Sequence, residues 1–404
     1  MIPYGDFLFF FIALGLLLPV ILLGFFGKRN DILNTIVTFI MIMLIFKDPN
    51  KNLFNISILS YEMVSFILFV VFQIVLIKSY VKIVKTKNTS SIFYTVIFLS
   101  ILPLAIVKIV QSSMFGFHSV QVNGLPIKSM IGFLGISYIM FKCIQILMEI
   151  RDKRIKEIKV FDVVRFLTFF PTISSGPIDR FKRFNKDETK GFTREKYLDL
   201  LQKAIHYIFM GFLYKYIIAY LINQKVILMI NFDSASLFMK LIYMYAYSFY
   251  LFFDFAGYSL FAIAFSYIMG IETPPNFNQP FKSKNIKDFW NRWHMSLSFW
   301  FRDMVYMRFV FFVTKKKLIK DKLLISNIGF MLNFMIMGIW HGVEWFYIVY
   351  GLYHGVLFVA YGYYEQYRKK HPYKINAKVM DIIGIIITFH VVAFGFLIFS
   401  GKLF

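Results

Sequence analysis

Seven histidines stand out in a chain with few ionisable residues: His118, His206, His294, His341, His354, His371 and His390. Placing an imidazole inside a bilayer is costly, so a histidine at membrane depth is a functional candidate by default. His341 sits in the run Met337-Gly338-Ile339-Trp340-His341-Gly342, at the end of an apolar stretch. The flanking glycines leave the ring room and Trp340 supplies a wall, an arrangement suited to a nucleophile or general base. The same position also suits a histidine that caps a helix C-terminus through the dipole. His294 lies in a second unusual stretch, KDFWNRWHMSLSFWFRDMVYMRFVFF. Read as one helix at about 100° per residue, it puts Asn291, His294, Ser298 and Arg302 on one stripe. Trp290, Trp293, Leu297, Trp300 and Met304 form the adjoining face. Two placements stay open: packed inside the protein with the stripe toward a cavity, or lying flat in the headgroup layer.

The other histidines read more plainly. His206, His354 and His390 fall within apolar runs near Tyr or Gly, as packing or hydrogen-bonding residues do. His118 and His371 fall in loops. Rival chemistries lack their motifs: there is no Gly-x-Ser-x-Gly elbow, no HExxH and no phosphate-cradling GxxxxGK[ST]. His294 and His341 have no Cys or carboxylate at a supporting spacing, so no metal is expected. The single cysteine, Cys143, sits in an apolar run and reads as a small core residue.

The elements that must position these residues follow from composition. Hydrophobic residues make up 58% of the 404, aromatics 20% and charged residues only 17%. That excludes an ordinary soluble globule, a disordered chain and a fibre. A barrel is also a poor fit, because its strands alternate around a polar interior. The expected fold class is an all-α polytopic membrane protein of about ten or eleven transmembrane helices with re-entrant or interfacial helices besides. Candidate spans cover 4–26, 31–46, 61–80, 91–110, 129–150, 197–222, 237–271, 323–340, 345–364 and 379–400. The run 237–271 is too long for one straight span, so Asp254 and Gly257 should break it, or it tilts strongly. The first run lacks a basic leader and a small-residue cleavage site, so it reads as a retained span. One integrated membrane domain is expected. Residues 1–150 form N-terminal spans, 151–342 the core with the active-site passage, and 343–404 C-terminal spans.

The formal charge is +23. Basic residues cluster between apolar runs, as topology markers and contacts to anionic lipid do, so no nucleic-acid partner is expected. With the N-terminus outside, the inner loops begin at Lys28-Arg29, Lys78–Lys87 and the cluster Arg151, Lys153, Arg154, Lys156 and Lys159. The outer loop 111–126 has no Lys or Arg. Both termini of this multi-pass cell-membrane protein are then extracytoplasmic. The stretch FDVVRFLTFFPTISSGPIDRFKRF has an apolar stem of about half a span, followed by helix-breaking Pro171, Ser174, Ser175, Gly176 and Pro177. Both its ends are basic, so it should return to the side it entered from.

Four blocks together resemble the membrane-bound O-acyltransferase superfamily: FPTISSGPIDRF, YLFFDFAGYS, NFNQPFKSKNIKDFWNRWHMSLSFWFRDMVYMRFVF and MGIWHG. Their order and rough spacing agree. The short chain, the opening MIPYGDFLFFF and the wording of the third block are similar to the branch that D-alanylates teichoic acid in Gram-positive cell walls. The resemblance implies that His341 and His294 are catalytic. It also implies a passage near Trp290, Trp293, Asn291, Ser298, Arg302, Trp340 and Ser175, through which a donor from the cytosol meets an acceptor from outside. One small departure is Met304, where a Tyr often follows Arg-Asp. The implied donor is D-alanine on the phosphopantetheine thioester of a small acidic carrier protein, with no cofactor resident in the chain. The implied acceptor is an extracytoplasmic hydroxyl. Val310 and Phe311, followed by Lys315, Lys316 and Lys317, offer the carrier an apolar anchor beside positive charge, though the same pairing anchors a helix end at the lipid interface. Two alternatives differ in kind: an O-acetyltransferase of an envelope polysaccharide, and a transporter that moves an activated intermediate without bond chemistry.

Overall fold

Lipid offers no hydrogen bonds, so a backbone taken into it must pair within its own segment, which selects helices. A computed structural model describes residues 1–47, 60–117, 120–122, 125–126, 131–189, 192–372 and 376–404. His118 lies outside the described residues. The helices are α1 (Phe7–Phe25), α2 (Asp31–Ile45), α3 (Tyr61–Thr86), α4 (Ser90–Gln111), α5 (Ile136–Arg151), α6 (Val160–Thr168), α7 (Phe181–Thr189) and α8 (Arg194–Ile227). They continue as α9 (Leu237–Ile268), α10 (Ile286–Trp290), α11 (Met295–Phe301), α12 (Met307–Lys315), α13 (Lys322–His341), α14 (Trp345–Lys370) and α15 (Ala377–Phe399). The strands described are the two-residue antiparallel pair Gln121–Val122 and Leu125–Pro126. Polar residues mark the helix starts: Asp6, Asn30, Ser60, Thr89, Asp321 and Asn376 each accept a backbone N–H of the first turn.

The chain is an all-α polytopic membrane protein, with eight described helices long and apolar enough to cross a bilayer. Two of the ten anticipated spans are shorter. Helix α2 has 15 residues and α5 has 16. Helix α5 starts only after Gly135, whose φ of 92° belongs to the left-handed region. A Cβ there would lie 2.1 Å from the carbonyl oxygen of Ile173, so the chain passes in direct contact. The start expected at 129 lies outside the described residues. Asp254 and Gly257 do not break 237–271: α9 runs unbroken for 32 residues. A glycine inside a long helix costs only about 1 kcal/mol, and Asp254 is paired with Lys215 at 2.5 Å.

By packing, the described chain forms two units: 1–211 with 258–274, and 212–257 with 275–404. In the first, the proline-rich stretch is a half-span stem, α6, a 3-10 turn at Phe170–Thr172 and an extended return. Buried Lys142 on α5 pins it, donating to the Phe166 carbonyl at 2.9 Å and to Thr172 Oγ1 at 3.3 Å. Tyr4 Oη donates to the Pro171 carbonyl at 3.2 Å, and Ser174 bonds the Tyr258 hydroxyl. Arg183 closes the return by pairing with Asp179 and with Asp187 at 2.8 Å.

In the second unit, α13 and α14 approach closely along glycines. A Cβ on Gly338 would lie 2.5 Å from the Tyr347 carbonyl, and one on Gly351 would lie 2.5 Å from the Phe334 carbonyl. This contact fixes the C-terminal end of α13, where His341 sits.

Candidate active site

His294 owes its position to a broken helix. Asn285 caps α10 by accepting from Asp288 N at 2.8 Å, and α10 ends after five residues at Trp290. The chain then turns, and His294 adopts φ 42° and ψ 53°, a left-handed conformation uncommon for a side-chain-bearing residue. The turn is held from outside: Met295 N donates to the Asn276 carbonyl at 2.8 Å, and Asn278 N to the Arg292 carbonyl at 3.0 Å. Helix α11 follows, then a π-helical turn at Arg302–Tyr306, then α12. The single continuous helix assumed from periodicity is therefore corrected to two, broken at 291–294, the second running on through a π-helical turn, and the stripe drawn on it divides.

His294 turns into a cavity of about 70 Å³ lined by His341, Trp290, Trp293, Tyr350 and Phe399 among others. It is 5% exposed, and its ring meets Phe255 edge-on at 4.7 Å. Its Nε2 is buried with no hydrogen-bond partner among the described residues. Burial, aided by the His341 ring nearby, holds His294 well below the ordinary imidazole value, so it is neutral at neutral pH. A neutral imidazole can donate from one nitrogen and accept at the other.

His341 is the last residue of α13. Aromatic rings enclose it: Trp340 at 4.5 Å, Phe399 at 5.0 Å, Tyr347 at 6.0 Å and Tyr350 at 6.1 Å between centroids. Gly342 is required by this crowding, because a Cβ there would fall 2.6 Å from the Tyr347 ring.

The rest of the stripe faces a second, wider cavity of about 280 Å³. Asn291, Ser298 and Arg302 line it with Lys287, Asn333 and Phe334. Trp290 lines both cavities. Along α13 the order is clear: residues 330–337 border the wide cavity, and His341, at the far end, the narrow one.

The structure thus gathers His294, His341, Trp290 and Trp293 at one cavity, and Asn291, Ser298 and Arg302 at the next. Trp340 packs on the His341 ring. Ser175 belongs to the first unit, where it bonds the Tyr138 hydroxyl. On α12, Phe311 is 67% exposed with the Lys315 ammonium 5.8 Å from its ring centre, and Val310 is half-buried. Lys316 and Lys317 follow, exposed.

The model of the membrane-bound O-acyltransferase family matches residues 53–401. The chain belongs to that family. It is an acyltransferase. The teichoic acid D-alanyltransferase of Bacillus subtilis (strain 168) is 49% identical over 404 residues, covering 100% of this chain and 98% of that protein. Proteins of the same name from Lacticaseibacillus rhamnosus and Streptococcus thermophilus are 42% and 39% identical, each covering 99% of this chain and at least 95% of the relative.

Sequence reasoning missed several lining residues of this family member. Leu251, Phe255, Phe396 and Phe399 come from α9 and α15, far along the chain, and carry no signal beyond being apolar. Asn333 did carry one: a carboxamide inside an apolar span is costly unless it has a partner or a cavity to face.

Proposed function

We propose that this acyltransferase moves D-alanine from the phosphopantetheine thioester of a cytosolic carrier protein to an extracytoplasmic hydroxyl, in teichoic-acid D-alanylation. One observation carries the reading: two imidazoles share one cavity, and Trp290 lines both it and a wider, partly polar one. The relatives named for teichoic-acid D-alanylation along their whole length supply the acyl group. The basic end of α12 supports placing the wide cavity on the cytosolic side, by the positive-inside rule, with both termini outside.

The arm enters the wide cavity past Arg302 and brings its thioester to Trp290. His341, as general base, takes the proton of the acceptor hydroxyl as that oxygen adds to the thioester carbonyl carbon. A route through a transient acyl-imidazole on His341 uses the same geometry. His294, neutral and with an unpartnered buried nitrogen, orients the carbonyl or stabilises the developing oxyanion. The carbon–sulfur bond then breaks, the thiolate takes back the proton, and an ester remains on the acceptor. Aromatic walls keep water from the thioester.

The acidic carrier docks on α12, steered by Lys315, Lys316 and Lys317 and held by Val310 and Phe311. The test is direct. Purified protein, D-alanyl-loaded carrier and a hydroxyl acceptor should give an ester, and His341→Ala should abolish it. No ester with wild type, or undiminished transfer by the variant, would remove the proposal.

A further inference from the structure

Helix α11 begins without a cap of its own. The N-cap position falls on His294, whose ring turns into the cavity it shares with His341 and makes no cap hydrogen bond. An N-cap side chain normally accepts a backbone N–H of the first turn. Asn276, 20 residues before Ser296, does so instead. Its Oδ1 accepts from Ser296 Oγ at 2.6 Å and from Ser296 N at 3.4 Å, and its carbonyl accepts from Met295 N at 2.8 Å.

Asn276 is 1% exposed, and its Nδ2 has no hydrogen-bond partner among the described residues. A buried donor left unpaired is costly, so the carboxamide is kept for its oxygen. The segment is anchored beside the site. The Phe277 ring meets Phe255 at 5.1 Å and Trp293 at 5.1 Å, and Phe255 is the ring that stands edge-on to His294. A serine or aspartate at 294 would cap α11 directly. With an imidazole there, in a left-handed conformation that side-chain-bearing residues disfavour, the turn has to be held from elsewhere.

We infer that Asn276 is a positioning residue: by capping α11 in place of residue 294, it frees the His294 imidazole and holds it in the cavity beside His341. This rests on the reading of His294 as one of the catalytic pair, and adds what fixes it there. A displacement of about 1 Å at a catalytic group can cost on the order of 100-fold in rate.

Two readouts on the full-length protein test it. Acyl transfer from the D-alanyl-loaded carrier should fall about tenfold or more in kcat for Asn276→Ala, with the KM for carrier close to wild type. Carbethoxylation of His294 by diethyl pyrocarbonate, mapped by mass spectrometry, should become several-fold faster in the same variant. That of His354, buried in the same unit, should stay as slow as in wild type. Asn276→Asp keeps an acceptor at Oδ1 and should stay close to wild type in both readouts. Ser296→Ala removes the shorter bond alone and should shift both in the direction of Asn276→Ala. Wild-type kcat in Asn276→Ala, an unchanged His294 rate, equal acceleration at His354, or equal defects in Asn276→Asp and Asn276→Ala would each overturn the inference. If Asn276→Ala does not fold, Ser296→Ala at the wild-type value in either readout overturns it. No ester from wild type removes the transfer reading instead, and the His294 modification then decides alone whether Asn276 holds the ring.

Discussion

Trp290 Nε1 donates a hydrogen bond to His354 Nδ1 at 3.3 Å, and the two rings meet edge-on at 5.2 Å. His354 is wholly buried on α14, so the indole that lines both cavities is oriented by a residue that lines neither. Since Nδ1 accepts, the proton of the neutral ring sits on Nε2, which has no partner among the described residues. His354→Leu leaves the indole N–H unpaired, at a cost of about 1–3 kcal/mol, and should lower the acyl-transfer rate. Trp290→Phe removes the donor and should give a similar defect. If the two act through one bond, the double variant loses no more than either single one. Additive losses in the transfer rate would contradict this.

The glycine contact between α13 and α14 makes a stability prediction. Gly351→Ala drives a methyl to 2.5 Å from the Phe334 carbonyl, so the helices must separate. Overpacking of this kind costs about 1–3 kcal/mol. The thermal midpoint in detergent should fall, and activity with it, because His341 rides on the same helix. Gly15→Ala on α1 is the control, since nothing lies within 4 Å of its Cβ position. An unchanged midpoint for Gly351→Ala would show that the helices yield without cost.

Carrier binding should separate into charge and anchor. Replacing Val310 and Phe311 by Asp should abolish carrier binding at any salt concentration. Replacing Lys315, Lys316 and Lys317 by Gln should mainly slow association and flatten its salt dependence. Titration of the carrier by surface plasmon resonance at two ionic strengths reads both. Carrier binding unaffected by the Asp pair would remove α12 as the docking site.

The burial of His294 predicts how stability depends on pH. Its folded value lies below the ordinary 6.5, so the unfolded chain takes up a proton first as pH falls. The contribution is therefore fully present above about 6.5 and is lost on acidification below it. The facing groups at the cavity are His341 and Tyr350, with no carboxylate among the lining residues. His294→Asn should retain more of its thermal midpoint between pH 7 and pH 5 than wild type does. An equal loss in both would contradict the assignment.

Much of this was legible in the residues. Long apolar runs fix helices in a bilayer, and prolines with small residues after the apolar stem of α6 end that helix and turn the chain. What was not legible depends on the chain meeting itself. Periodicity assumed a helix through His294, but Asn276, nearly twenty residues earlier, captures Met295 N and turns the ring away from Asn291 and Ser298. Asp254 looked like a helix breaker because its partner, Lys215, lies 39 residues away. The lone glycines of α13 and α14 gave no hint that they face each other. Trp290 was prominent as an aromatic, but the bond that orients it comes from His354, 64 residues further on.

The central claim is that the acyl group passes through the protein, from one side of the membrane to the other, by way of His341. Liposomes holding the purified protein in one orientation, with loaded carrier on the face bearing Lys315–Lys317 and a hydroxyl acceptor on the opposite face, test it most directly. The account predicts D-alanyl ester on the acceptor across the membrane, absent with His341→Ala. Ester formed only when carrier and acceptor share a compartment, or formed equally by the variant, would contradict it.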